Sequence, residues 1–305
     1  MRFLCIRVNE DDEQLKAYLT EAVCSDSGIG MKCEIKDVAN LEGSTSIICN
    51  IKEEYKEKEM YPNLYNQMII VISGVLTNYI IDKYQEKLVL RIINSNYCYF
   101  NPIEKGEIKW LTYSIIKNEE GNFLNSLFQI KRRNIITKRL LEYFRCSNTL
   151  ILEGFINFRI KDYVGELEEI VDKAVDDFLT EREYREFVRL LRYFVDIQEP
   201  KFNLVHIVVS YSGKYILLDE NKNEITNEYL HEFMSDIPEG EINYDDLLVS
   251  SLITMAPRKI IIHGVKSFKN KELLETIKNV FWGKFMVCSK CELCPVNLAK
   301  SENKN

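Results

Sequence analysis

At 305 residues, 46% of them apolar and 11% aromatic, the chain can bury a substantial core in one to three domains and is too rich in apolar side chains for a disordered polymer. A net charge of −7 excludes a surface that seeks phosphate over its whole extent and leaves room only for a local basic patch. Twelve glycines leave little material for a nucleotide-cradling loop; there is no Walker loop, and Gly28-Ile-Gly30-Met-Lys-Cys33 lacks the third glycine of a dinucleotide fingerprint.

Phe3 to Val8 alternates like a strand, and Asp11 to Val23 carries Leu15, Tyr18, Leu19 and Ala22 at helical spacing. After a turn at Gly28-Ile-Gly30, Met31 to Ile35 and Ser46 to Ile51 read as two more strands, so residues 1–60 form a small mixed α/β unit. Residues 61–200 are a helical region. Leu64, Met68, Val71, Val75 and Tyr79 open a long amphipathic helix that runs on through Leu88. Its most apolar window, Met68 to Ile81, is interrupted by Ser73 and Asn78 and closed by Asp82. That is too short for about 30 Å of hydrocarbon, so no transmembrane segment is expected.

Asn101 starts the next helix, with Pro102 at the first helical position and Glu104 placed for a capping box. Helices follow over Phe123 to Phe144 and Ile151 to Tyr193. A break is expected near Thr180, where the stripe of Val164, Leu167, Val171 and Phe178 gives way to Phe187, Leu191 and Val195. Glu199-Pro200 ends the helical section, because the residue before proline avoids the helical region.

The period then changes to two. Leu204 to Ser210 and Lys214 to Asp219 flank Tyr211-Ser-Gly213 as a hairpin. Glu228 to Met234 and Tyr244 to Met255 read as helices, Arg258 to Ile262 as a strand buried on both faces, Lys271 to Val280 as a helix and Lys284 to Val287 as a last strand. Residues 201–296 thus make an α/β region ending in a cysteine knuckle, and 297–305 a disordered tail. The expected class is α+β (mixed α/β), with a large helical middle section and a C-terminal sheet layered by helices. Phe3 to Val8 is expected to join that sheet, since chain termini often meet.

Two stretches carry a resemblance. One runs from Glu153-Gly-Phe-Ile-Asn-Phe-Arg-Ile-Lys-Asp-Tyr163 through Val171-Asp-Lys-Ala-Val-Asp-Asp-Phe178 to Glu183–Pro200; the other is Asp245 to His263, ending in Cys288 to Cys294. In this order they resemble the YtxC-like family, sporulation proteins of spore-forming Firmicutes. The resemblance covers roughly the second half of the chain. It implies a cytoplasmic protein of an endospore former with a role in or around sporulation, and it assigns no catalytic residues.

Three of the nine cysteines lie together in Cys288-Ser-Lys-Cys291-Glu-Leu-Cys294-Pro295. Two residues between thiolates let the chain turn and aim both sulfurs at one soft metal. The run also resembles the cluster-binding run of bacterial ferredoxins, but there the proline follows a fourth cysteine and here it follows the third. A fourth ligand must come from elsewhere. His263 is the first choice, at the end of a strand expected to lie parallel to the last one, and Cys5 is the second. Zinc and no metal at all fit these residues equally well, an iron–sulfur cluster less well, and a redox dithiol is the remaining reading. The other cysteines are scattered, and no apolar leader opens the chain, which together point to free thiols in a reducing cytoplasm.

Lys131, Arg132, Arg133, Lys138 and Arg139 make a basic helix face that could contact phosphate, either of a nucleic acid or of an anionic membrane surface; a solvated face is the plainer reading. The same holds for Asp172, Asp176, Asp177 and Glu181, which lack the Glu-x-x-His partner of a di-iron carboxylate site. His206, in an apolar strand, reads as a hydrogen-bonded sheet histidine and His231 as an exposed one. No G-x-S-x-G elbow occurs. The leading expectation is therefore a non-enzymatic protein that binds a protein partner, with the knuckle as a structural clasp. An iron–sulfur or thiol-based redox sensor or enzyme is the alternative, and a nucleic-acid-binding module through the basic helix the third.

Overall fold

The computed structural model describes residues 4–8, 13–25, 33–39, 45–55, 61–118, 123–209, 215–225, 244–265, 268, 270–289 and 291–294. The fold is α+β, and the chain divides into a compact unit up to Leu179 and a second from Thr180 onward. The expected turn at Gly28–Gly30, the helix at Glu228–Met234 with His231, and the C-terminal tail lie outside the described residues.

In the first unit, strands β1 (Leu4–Val8), β2 (Cys33–Ala39), β3 (Thr45–Ile51) and β4 (Thr149–Ile151) form a sheet in the order β2-β3-β1-β4, antiparallel except for the β1–β4 pair. The N-terminal strand therefore does not join the C-terminal sheet. Its free edge is taken by β4, where Cys5, Ile6 and Arg7 pair with Thr149, Leu150 and Ile151. Around this sheet lie α1 (Glu13–Ser25), α2 (Tyr61–Asn96), α3 (Pro102–Asn118), α4 (Phe123–Cys146) and α5 (Leu152–Phe158). Leu4, Ile6, Leu15, Leu19, Met68, Ile72 and Leu76 are among the side chains that fill the shared core.

Helix α2 is long and apolar enough, by length and composition, to cross a bilayer, but 50% of its most apolar 18-residue window is buried inside the protein. Thr77 on it meets Thr137 of α4 at 2.9 Å between hydroxyls, and Tyr79 is buried. Part of its apolar surface is thus covered by neighbouring elements, while Ile70 stays exposed. The α3 capping box forms as the sequence indicates. Asn101 Oδ1 accepts from the N–H groups of Ile103 and Glu104 at 2.9 and 3.0 Å, and Glu104 Oε2 accepts from Asn101 N–H at 2.9 Å.

Helix α6 (Lys161–Ile197) is continuous, so the expected break at Thr180 is absent. What changes there is the phase of the buried stripe. Leu167, Val171, Ala174 and Phe178 belong to the first core, whereas Tyr184, Val188, Leu191 and Val195 serve the second. No proline or glycine interrupts the turn at Thr180, so the backbone hydrogen bonds carry on while the packing partner changes.

The second unit holds β5 (Val205–Val209), β6 (Tyr215–Leu218), β7 (Ile260–His263) and β8 (Phe285–Val287) in the order β6-β5-β7-β8. The β5–β6 pair is antiparallel and the β5–β7 and β7–β8 pairs are parallel. Parallel neighbours require crossovers, and α8 (Lys271–Val280) bridges β7 to β8 while α7 (Tyr244–Met255) precedes β7. Val205, Ile207, Val209, Ile260 and Ile262 pack under Leu248, Leu252 and Met255 of α7 and Leu273, Ile277 and Val280 of α8. Asn270 caps α8 by accepting from Leu273 N–H at 3.1 Å, and its amide donates to Asp245 at 2.8 Å, tying α8 to α7.

Candidate metal centre

Strand alternation decides which side chains face the knuckle. In β5 and β7 the helix-packed set is Val205, Ile207, Val209, Ile260 and Ile262, so His206, Val208, Ile261 and His263 point to the opposite face. The parallel register sets Val208 beside His263 and Ile262 beside Val287, which brings Cys288 alongside His263 one position on. The last ladder bond, from Cys288 N–H to Ile262 O at 2.9 Å, fixes Cys288 there. Gly264 has φ of +71°, a left-handed conformation that turns the chain away as soon as His263 has been presented.

From Cys288 the chain folds back on itself. Cys294 N–H donates to Cys291 O at 3.2 Å, and the sulfurs converge, Cys294 on Cys288 at 3.9 Å and Cys291 on Cys294 at 4.0 Å. Cys291 Sγ lies 3.1 Å from His263 Nδ1. The donor atoms of His263, Cys288, Cys291 and Cys294 all fall within 4.8 Å of one another, the histidine buried and the thiols half-buried. Four ligands at the corners of a zinc tetrahedron, with Zn–S near 2.3 Å, would place sulfurs about 3.8 Å apart. The Cys288–Cys294 and Cys291–Cys294 separations are close to that spacing. These residues lie close enough to hold a metal ion, and their soft S₃N donor set is compatible with zinc.

The other nitrogen of His263 is also occupied: Nε2 lies 2.9 Å from Nδ1 of His206, with the two rings tilted by 40°. Burial lowers the basicity of both imidazoles, and Lys222 nearby adds to the effect in each. Burial and the neighbouring thiols push the Cys288 thiol up to about 11. Burial acts in the same sense on Cys294, but the backbone N–H groups of Cys291 and Gly264 and the adjacent thiols outweigh it and bring that thiol below its ordinary value. A cleft of about 540 Å³ opens beside the centre, lined by His206, Lys222, Ile261, Met286 and Leu293 among others.

The structure thus unites His263 with the three knuckle cysteines. Cys5, the second choice for a fourth ligand, is buried in β1 between β3 and β4 and is not one of the four. The basic residues of α4 are largely engaged within the chain. Lys131 pairs with Glu166 at 2.6 Å, Arg139 with Glu142 at 3.2 Å and with Asp162, and Arg133 donates to Asn78. Arg132 is buried, and Lys138 stays exposed on the helix surface. Asp172 accepts from Tyr97 OH at 2.6 Å, and Glu181 pairs with Arg185 at 3.9 Å, so these carboxylates behave as an ordinary paired surface. His206 is the member of the site whose link to it the sequence reading missed. The one signal was its odd position in an apolar strand, two residues from the place that pairs with His263.

Comparison with known proteins settles the lineage. A profile of the YtxC-like family matches residues 70–286. The chain belongs to the YtxC-like family. The uncharacterized protein YtxC of Bacillus subtilis (strain 168) is 25% identical over 213 residues, spanning 69% of this chain and 73% of that relative. No solved structure matches the chain. The family match begins in α2 and takes in β5, β7 and both histidines. It ends at residue 286, just before Cys288, so the likeness covers the sheet that presents the histidines and stops short of the knuckle.

Proposed function

We propose that this YtxC-like protein is a non-enzymatic binding protein whose C-terminal layer is clasped by a structural zinc ion held by His263, Cys288, Cys291 and Cys294. The observation that carries the reading is the convergence of four N/S donor atoms within 4.8 Å, one from a sheet strand and three from the segment that follows the last strand. Four protein ligands complete a tetrahedron, leaving no open position for substrate or water, which favours a structural over a catalytic metal. Binding there joins Cys291 and Cys294, in a short turn with few buried apolar contacts of its own, to the end of β7. The setting implied by the family, in the cytoplasm and in or around sporulation, extends the proposal: the clasped layer would present a surface to a protein partner.

The test is elemental analysis and an optical spectrum of untagged protein purified without oxygen. About one zinc per chain and no visible absorption support the clasp. Iron with sulfide would replace it by the redox reading, and no metal at all would refute it. The sporulation setting has its own test, because a strain lacking the gene should grow normally yet form fewer heat-resistant spores. Unchanged spore counts would remove that part.

A further inference from the structure

We propose that His206 is the positioning residue of this centre: it accepts the Nε2–H of His263 and so presents Nδ1 of His263 to the metal. The inference rests on the metal-clasp reading and adds the coordination mode and the residue that imposes it. The two nitrogens of His263 face different neighbours. Nδ1 lies 3.1 Å from Cys291 Sγ, on the thiol side, while Nε2 lies 2.9 Å from Nδ1 of His206. A ligating nitrogen carries no proton, so an Nδ1-bound His263 is protonated at Nε2, and that N–H needs an acceptor where it is buried. His206 Nδ1 supplies it when His206 carries its own proton on Nε2.

The position of His206 is rigid. It sits on β5, an inner strand with ladder partners on both sides, paired with Leu218 of β6 and Ile261 of β7. Strand alternation places it on the same face as His263, and it is 9% exposed against 3% for His263. A partner held by two ladders fixes the ring orientation of the ligand before any metal arrives. Coordination through Nε2 would require the ring to turn over and give up this hydrogen bond. Outer partners of this kind typically alter metal affinity about 10–100-fold when they are removed.

The experiment uses the full chain loaded with zinc and labelled with ¹⁵N-histidine. Long-range ¹H–¹⁵N correlations should show His263 metal-bound at Nδ1 and protonated at Nε2, and His206 protonated at Nε2. Competition titration with a zinc chelator should show affinity reduced about 10–100-fold in His206→Leu. Affinity should recover in His206→Asn, whose Oδ1 stands close to where Nδ1 was, and the metal-free melting temperatures should differ little among the three. Nε2 coordination of His263 in the wild type overturns the proposal, as does wild-type affinity in His206→Leu. The NMR assignment needs no variant, so it decides the matter even if His206→Leu does not fold. A wild type that binds no zinc removes the clasp itself, an outcome distinct from zinc bound with the wrong nitrogen.

Discussion

Replacing Cys291 with serine tests the clasp most directly, because Cys291 is the sulfur that meets His263. Its Sγ lies 3.1 Å from His263 Nδ1 and 4.0 Å from Cys294 Sγ, so removing it breaks both the bridge to β7 and the chain of sulfurs. An oxygen there is a harder, poorer ligand and leaves only three good donors. A metal bound to the folded state alone stabilises it by RT ln(1 + [L]/Kd), about 2.7 kcal/mol when free zinc is 100 times Kd. For a unit the size of Thr180–Asn305, each kcal/mol moves the midpoint by roughly 4 °C, so the bound zinc adds about 10 °C. Scanning calorimetry of the full chain at buffered zinc should show one transition that falls by about that amount in Cys291→Ser. Adding EDTA should lower the wild-type transition to the same point and leave the variant where it is. Equal EDTA shifts in both proteins, or none in either, would refute the reasoning.

Other parts of the molecule give independent checks. Asn101→Ala removes one half of the capping box on α3 and should cost about 1 kcal/mol in urea unfolding; an unchanged midpoint would show that the cap adds nothing. Iodoacetamide should label exposed Cys98 and Cys146 first, as read by mass spectrometry. Buried Cys49, pushed up to about 12 by burial and then by the Cys33 and Cys5 thiols, should resist, and Cys288, Cys291 and Cys294 should react only after a chelator is added. Tyr163, buried and donating to Gln85 at 3.0 Å, has its hydroxyl held protonated above the ordinary tyrosine range, first by burial. Its folded pKa is raised, so its contribution is whole below pH about 10 and is lost as pH rises beyond, where the unfolded chain ionises first. Urea midpoints should fall between pH 9 and 11 less steeply in Tyr163→Phe than in the wild type.

How far the chain could be read without coordinates depended on the range of the interactions involved. The C-x2-C-x2-C spacing is local, and it announces a sulfur cluster because a turn of seven residues can hardly do otherwise with its thiols. Tyr244–Met255 and Lys271–Val280 are helices with the limits their apolar periods indicate, and Asn101 caps α3 through side chains three residues away. The break between α5 and α6 at Arg159–Ile160, inside the helix expected over Ile151–Tyr193, is a local miss, and the other failures are long-range. Leu4–Val8 was expected in the C-terminal sheet on the ground that chain termini often meet, and its parallel partner, Thr149–Ile151, is only three residues long and carries no strand signal of its own. Thr180 was read as a helix break because periodicity records a change in what a helix packs against, and it cannot tell that from a change in the helix.

The metal centre lies between these cases. His263 was legible as a ligand because two short apolar strands joined by one helix must lie parallel, which puts the end of one beside the end of the other. His206 was not, since its place depends on the register between β5 and β7, which sets it beside a histidine 57 positions further along the chain. A slip of one residue in that register would turn His206 to the helix-packed face and Ile207 toward His263. The packing of Val205, Ile207 and Val209 against α7 and α8 is what forbids the slip. The apolar core on one face of the sheet therefore fixes the hydrogen bond on the other, and with it the nitrogen that His263 offers to a metal.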